Sequence, residues 1–287
     1  MENKPTDITS RQHLVISQDA PIDLQLHTTY SDGTWSPEEL VDYLVGEGFG
    51  LAAITDHDRV DSVATIQRLG ASKGLALLAA VEMSTSWRDE LTDILCYGFD
   101  PEWNELLELG LSVVRRQDEI TRNTYEALQR RGYKISRGEE DGPITSNELG
   151  LLLLEAGYST GPGSIGQLMT DVGFDFATND IAVVVEAAHR SGAVCLIAHP
   201  GRGEDFTLYD ADLLDELRRE VPLDGIEAYY PLHSPEQTAM YLEYAEKHDL
   251  LVSSGSDSHG PEKKPIKYRA DLSRKLLERL GIEVRSY

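Results

Sequence analysis

Short apolar runs alternate with amphipathic stretches along most of this chain, and any fold it adopts must satisfy that alternation. IDLQLHT, GLAAIT, LALLAAVEM, LTDILCYGF, AVCLIAH, GIEAYY and LLVSSGS read as seven strands. Helical patterns lie between most of them. SPEELVDYLVGEG carries Ser36 as N-cap, Pro37 at the first helical position and Glu39 to close a capping box. Further helices are expected over 62–73, in IAVVVEAAHRSG, over 213–219, in SPEQTAMYLEYAEKH and from Asp271 onward. Strand-helix repetition with apolar strands implies a parallel sheet covered by helices, an α/β fold either open or closed into a barrel.

From 102 to 180 the strand signal disappears. WNELLELGLSVVRRQDEITRNTYEALQRRG is one long helical stretch, followed by a shorter helix in SNELGLLLLEAG and a Gly-rich passage, STGPGSIG. This reads as a helical insertion, 102–180, in a domain made of 21–101 and 181–287. Residues 1–20 are polar and aperiodic and read as a flexible lead-in. No run approaches the roughly 20 apolar residues of a membrane span, and the first residues lack a signal-peptide core, so a cytoplasmic protein without a membrane partner is expected. Cys96 and Cys195 lie in apolar runs and read as reduced core residues. With 26 Lys plus Arg against 50 Asp plus Glu, the formal charge of −24 repels long nucleic acid. A small anionic substrate stays open, because bound divalent cations would invert the local field.

The unusual residues fall at strand ends. His27 ends the first strand, Asp56 and His57 follow the second in ITDHD, and Glu82 ends the third. His199 ends the fifth in LIAHP, and Asp257 and His259 follow the last in GSDSH. In a parallel barrel the strand C-termini share one face, so these residues would converge there. A carboxylate flanked by apolar strand is costly unless paired or metal-bound. Taken singly, each residue has a bland reading: Asp32 in SDG as a turn residue, Glu82 as a cap or ion-pair partner. Imidazole and carboxylate without thiolate suit manganese, iron or zinc, in a number sufficient for two or three ions, and clustered divalent ions commonly serve hydrolysis.

HTTYSDG, ITDHD, Glu82 in AAVEMS, IAHP and the closing SDSH, in that order over residues 22–287, resemble the PHP (polymerase and histidinol phosphatase) family, especially its stand-alone metal-dependent phosphoesterases. The resemblance implies a distorted seven-stranded (β/α) barrel with a trinuclear metal site. It implies that His27, Glu82 and Asp257 hold one ion, that Glu82 bridges to a second held also by His199, and that Asp32, His57 and His259 hold a third. Two positions depart from the family pattern. Gln25 stands where the motif begins with histidine, and Asp93 in LTDILCY replaces a further histidine. Gln25 offers only an amide oxygen, whereas Asp93, which alternation places on the face of Leu95 and Tyr97, is a competent oxygen ligand. The two changes favour manganese or magnesium over zinc; the alternative is that the first ion is lost and two remain.

The expected reaction is hydrolysis of a phosphate monoester of a small metabolite, a nucleotide such as a nucleoside monophosphate or 3′,5′-bisphosphate, by a metal-bridged hydroxide. Asp56 could orient His57 or cap the following helix, and His233 could donate a proton or bind phosphate, with Tyr230 lining the pocket. Arg202 in HPGR, Lys267 in PIKYR and Arg116 on the long helix are candidate phosphate contacts, the last if the insertion forms a substrate lid. Arg122, with Glu126 at i+4, reads as a solvated helix face. His13, His189 and His248 are assigned no role. Competing readings are an exonuclease on short oligonucleotides, a histidinol-phosphate phosphatase and a non-catalytic metal-binding regulatory module.

Overall fold

The computed structural model describes residues 14–138, 142–203 and 206–286. Most of the expected lead-in, His13 included, lies outside them. Within them the lead-in is already structured, because strand β1 (Val15–Ser17) pairs in parallel with Glu283–Arg285 near the other end of the chain. Local pattern could not reveal a partner that distant.

Strand β2 (Pro21–Asp23) is followed by helix α1 (Pro37–Gly46), where Ser36 and Glu39 form the expected capping box with Pro37 in the first turn. Leu40, Val41 and Leu44 of α1 pack against Leu26, Ala52, Ile54 and Leu77, the one-sided burial expected of an amphipathic helix on a sheet. Strand β3 (Leu51–Ala52), helix α2 (Val63–Ser72) and strand β4 (Ala76–Leu77) follow, and β2, β3 and β4 pair in parallel.

Strand β5 (Ala80–Met83) leads into a hairpin of β6 (Thr85–Trp87) and β7 (Glu90–Leu91), which turns through Arg88 and Asp89, both at positive φ as a two-residue hairpin loop requires. Strand β8 (Ile94–Tyr97) then returns antiparallel to β5. This corrects the all-parallel expectation: no helix separates these two strands, and a parallel return needs a crossover of a dozen or so residues.

Helices α3 (Leu106–Arg130), α4 (Ser146–Glu155) and α5 (Ser164–Thr170) occupy the stretch read as an insertion, and β9 (Asn179–Asp180) pairs with β6 at its end. Leu128, Ile135, Ile144, Leu149, Leu153, Met169 and Phe174 form a core of their own, while Leu106 is buried in the main core. Helix α3 is therefore a strut anchored in both. Alternation resumes with α6 (Ile181–Arg190), β10 (Val194–Ile197), α7 (Ala211–Glu220), β11 (Gly225–Tyr229), α8 (Pro235–Lys247) and β12 (Leu251–Ser254). Strands β10, β11 and β12 are parallel, and β10 is antiparallel to β8. Strand β13 (Tyr268–Arg269) pairs antiparallel with β2, and α9 (Arg274–Arg279) precedes β14 (Glu283–Arg285).

The result is a mixed α/β fold with two main sheets, ordered β13-β2-β3-β4 and β12-β11-β10-β8-β5. Their ladders are separate, but backbone bonds past the strand ends tie them together. On one side Leu24 N–H donates to Ser254 (3.0 Å), Asp257 to Gln25 (3.0 Å) and His27 to Ser258 (2.9 Å); on the other Glu82 donates to Thr55 (3.1 Å) and Asp58 to Glu82 (2.9 Å). Cys96 and Cys195 face each other across β8 and β10 as free, fully buried thiols, Sγ to Sγ 3.8 Å. Among the described residues, no helix is long and apolar enough to cross a membrane.

Candidate metal centre

The segment past β2 is fully buried from Leu24 to Thr28. Period-two alternation sends Leu24 and Leu26 into apolar clusters and leaves Gln25 and His27 on the opposite side. After His27 the chain turns tightly, with Thr28 carbonyl accepting from Ser31 (3.1 Å) and Gly33 (3.0 Å) N–H. Gly33 is required by close approach, since a Cβ there would lie 2.6 Å from the His27 carbonyl carbon. The turn brings Asp32 Oδ1 to 3.6 Å from His27 Nδ1 and Oδ2 to 3.1 Å from His259 Nε2.

Asp56 clamps this turn. Its Oδ1 accepts from Thr28 N–H (2.6 Å) and Ser31 hydroxyl (2.8 Å), and its Oδ2 from Thr28 hydroxyl (2.7 Å). That corrects both roles anticipated for it: neither oxygen orients His57 or caps the next helix. Asp56 positions the loop that carries Asp32.

Glu82, wholly buried, is the hub. Its Oε1 lies 3.0 Å from His199 Nε2; its Oε2 lies 3.1 Å from His27 Nε2 and 3.9 Å from His57 Nε2, and accepts from Gln25 Nε2 at 3.0 Å. Gln25 therefore turns its amide nitrogen, not its oxygen, toward the carboxylate, as charge demands. His259 and His57 both stack on the His27 ring, with centroids 4.2 and 4.8 Å from that of His27. Asp257 Oδ1 lies 3.3 Å from His27 Nε2. His199 and Asp257 both adopt positive φ, 28° and 53°, strain of the kind held at functional sites by the surrounding structure. His199 N–H donates to the buried Glu227 (2.9 Å), which fixes its backbone.

Four groups of donors among the described residues have ligand atoms within 4.8 Å of one another; three of them share residues here, namely His27, Asp32, His57 and His259; His27, Glu82 and Asp257; and His57, Glu82 and Asp93, while the fourth, His189, Cys195 and Asp224, shares none with them. Burial alone would lower His27, but Asp257 and Glu82 outweigh it and hold the imidazole well above the ordinary range. The same contest, with Glu82 and Asp32 against burial, pushes His57 up to about 9. Burial would raise Glu82, yet His57, His199 and His27 hold it well below the carboxylate range, while burial and Glu82 push Asp93 up to about 6. The cluster is short of positive charge. Both ring nitrogens of His27 and Nδ1 of His57 are buried without a hydrogen-bond partner, so the short His27 to Glu82 approach is misaligned for a hydrogen bond and suits donors aimed at a shared cation. The residues present fit divalent metal ions.

Other candidates go elsewhere. Arg116 donates to Thr178 carbonyl (2.8 Å) and Asn179 side chain (2.9 Å), and Lys267 pairs with Glu47 (2.8 Å), so neither reaches the cluster. His233 is spent structurally: Nδ1 bonds to Ala228 carbonyl (3.1 Å), Nε2 accepts from Gly201 N–H (3.1 Å), and burial lowers its pKa. His189 and His248 pair with Asp224 and Asp215 in side chains remote from these residues. Arg202 Nη1 does arrive, 3.6 Å from Asp257 Oδ2, and Tyr230 hydroxyl donates to that oxygen at 3.1 Å. Sequence reasoning missed Lys263, whose Nζ is 3.7 Å from Asp257 Oδ2, and Glu227. A lysine pair just past the SDSH motif in an acidic chain, and a lone carboxylate in an apolar strand, were the available signals.

No protein-family model matches the sequence. A 3′,5′-nucleoside bisphosphate phosphatase of Chromobacterium violaceum is 30% identical over 263 residues, covering 84% of this chain and 88% of the relative. A 5′-3′ exoribonuclease of Haemophilus influenzae is 27% identical over 247 residues, covering 83% and 90%. A solved structure from Bifidobacterium adolescentis, classed as a metal-dependent phosphoesterase, superposes with a TM-score of 0.76 at 25% identity over 91% of this chain and 96% of its own. Similarity that extends across nearly the whole of both chains at this level shows that this one belongs to the PHP family of metal-dependent phosphoesterases, hydrolases that act on phosphate esters.

Proposed function

We propose that this chain removes phosphate from a nucleotide, using divalent ions held by His27, Asp32, His57, Glu82, Asp93, His199, Asp257 and His259. The observation that carries this reading is Glu82, a fully buried carboxylate met by His199 and His27 within 3.1 Å, with His27 nitrogens that lack hydrogen-bond partners. Bound there, such ions supply Lewis acidity and an acidified water as nucleophile. The chain supplies the rest. Asp56 holds the Asp32 turn, Glu227 holds the His199 backbone, and Arg202 stands beside the cluster to meet phosphoryl charge. Two or three ions fit the donor groups, and an oxygen-rich set with Asp93 favours manganese or magnesium over zinc.

The substrate class is supported by the bisphosphate phosphatase relative, whose named substrate is a phosphorylated nucleoside. Exonuclease action on short oligonucleotides is a second reading, favoured by the exoribonuclease relative. The charge of −24 opposes long strands. For the fold, a distorted seven-stranded barrel formed by β2, β3, β5, β8, β10, β11 and β12 is supported by the backbone bonds that link the two sheets beyond their ladders.

Phosphate release by manganese-reconstituted protein is tested on AMP, a 3′,5′-bisphosphate, histidinol phosphate and a short 5′-phosphorylated RNA. Release from the nucleotides, reduced at least about a hundredfold in His57→Ala, is expected. No release from any of them with manganese, magnesium or zinc would overturn the reading.

A further inference from the structure

A second set of metal-binding side chains lies away from the centre described above. His189, in the last turn of α6, has its Nε2 2.8 Å from Asp224 Oδ2, and Cys195 Sγ lies within 4.8 Å of ligand atoms on both. The backbone holds two of the three together: Cys195 N–H donates to Asp224 Oδ2 (2.8 Å), and Asp224 N–H donates to the Cys195 carbonyl (2.9 Å). Cys195 is near the start of β10 and Asp224 immediately precedes β11, whereas His199 lies past the other end of β10. The trio therefore sits toward the opposite end of these strands from the first centre.

Cys96, outside that compact trio, supplies a second thiol. Its Sγ is 3.8 Å from that of Cys195. A tetrahedral ion with metal–sulfur bonds of about 2.3 Å holds two sulfurs about 3.8 Å apart. Both thiols are fully buried, whereas the His189 and Asp224 side chains are 33% and 26% exposed, and His189 lines a surface cleft with Glu186, Arg190 and Glu220. An ion can thus enter past His189 and meet sulfur at the bottom. His189 and Asp224 stand closer than the roughly 3.3 Å between two nitrogen or oxygen ligands of such an ion, and their exposure leaves them room to part. Cys96 and burial hold the Cys195 thiol well above its ordinary range, so it keeps its proton until a cation displaces it.

We propose that His189, Cys195 and Asp224, with Cys96 as fourth donor, form a structural site for one divalent ion of the zinc class. Sulfur separates this site from the first centre, whose carboxylates and imidazoles suit harder ions. The ion would tie the end of α6 to β8, β10 and β11. Its binding releases the thiol protons to solvent and takes from Nε2 any proton it shares with Asp224. The proposal is independent of the phosphoesterase reading, because it uses none of that centre's ligands and no substrate.

Cobalt(II) is the probe, because thiolate bound to cobalt absorbs in the near ultraviolet and no residue assigned to the first centre carries sulfur. It is titrated into the metal-free full chain, kept reduced with a phosphine. Wild type should develop the band with about one equivalent of tightly held cobalt, zinc should abolish it, and His57→Ala should retain it. Cys195→Ser and Cys96→Ser should each lose about half of the band or more, and His189→Gln should weaken cobalt binding by about tenfold or more. No band in wild type, an undiminished band in Cys195→Ser, or unchanged affinity in His189→Gln overturns the proposal; an undiminished band in Cys96→Ser overturns the fourth donor. His189 lies at the surface, so His189→Gln decides the matter if Cys195→Ser fails to fold. A thermal melt of His189→Gln in chelator that matches wild type excludes loss of fold as the cause.

Discussion

Gln25 shows how much chemistry one side chain controls here. Its Nε2 occupies Glu82 Oε2 at 3.0 Å, while its own Oε1 is buried without a partner. Gly255 packs against it so closely that a Cβ at 255 would sit 2.4 Å from Gln25 Cβ, so the side chain is sterically fixed. An imidazole at this position would present a nitrogen donor where the amide presents N–H. Gln25→His is therefore expected to add about one tightly held divalent ion per chain, measured by elemental analysis after gel filtration in metal-free buffer. Unchanged stoichiometry would show that the donor groups already present set the count. The departure at residue 25 was visible in the sequence, as was the cluster of donor types. The role of Asp56 was not, because three hydrogen bonds to a turn 28 residues earlier depend on how two strands lie side by side.

Helix α3 joins the main core to the smaller helical one, and its contact with the site runs through Gly110. A Cβ there would lie 2.3 Å from the carbonyl oxygen of Asp58, the residue after His57. A glycine inside a helix ordinarily weakens it; here it permits close packing. Gly110→Ala is expected to cost about 1–3 kcal/mol, read as a lower urea midpoint, and to weaken metal retention by displacing the His57 loop. If stability falls with metal retention unchanged, α3 supports the fold and not the loop. Asn147, at the start of α4, donates to the Asp32 carbonyl at 3.2 Å, a contact between the helical segment and the turn that carries Asp32.

Across the whole molecule, the carboxylates at the strand ends repel one another unless cations lie between them. Divalent ions that bind only the folded chain should stabilise it by about 3–4 kcal/mol at concentrations well above their Kd. Chelation is expected to lower the calorimetric Tm by about 10 °C, restored by manganese, and an unchanged Tm would argue against resident ions. The sequence by itself marked most of the longer strands and helices, the capping box at Ser36, the helical segment and the donor residue types at the strand ends, because hydrophobic period and local turn chemistry act within a few residues; the short strands β1, β6, β7, β9, β13 and β14 and helix α5 were not legible in it. Tertiary structure alone decided the rest. The antiparallel course of β8, the pairing of β1 with β14, the diversion of Arg116, Lys267 and His233 to structural partners, and the arrival of Lys263 beside Asp257 all depend on contacts between residues far apart in the chain. Such contacts follow from how sheets pair and loops pack, which no local pattern encodes.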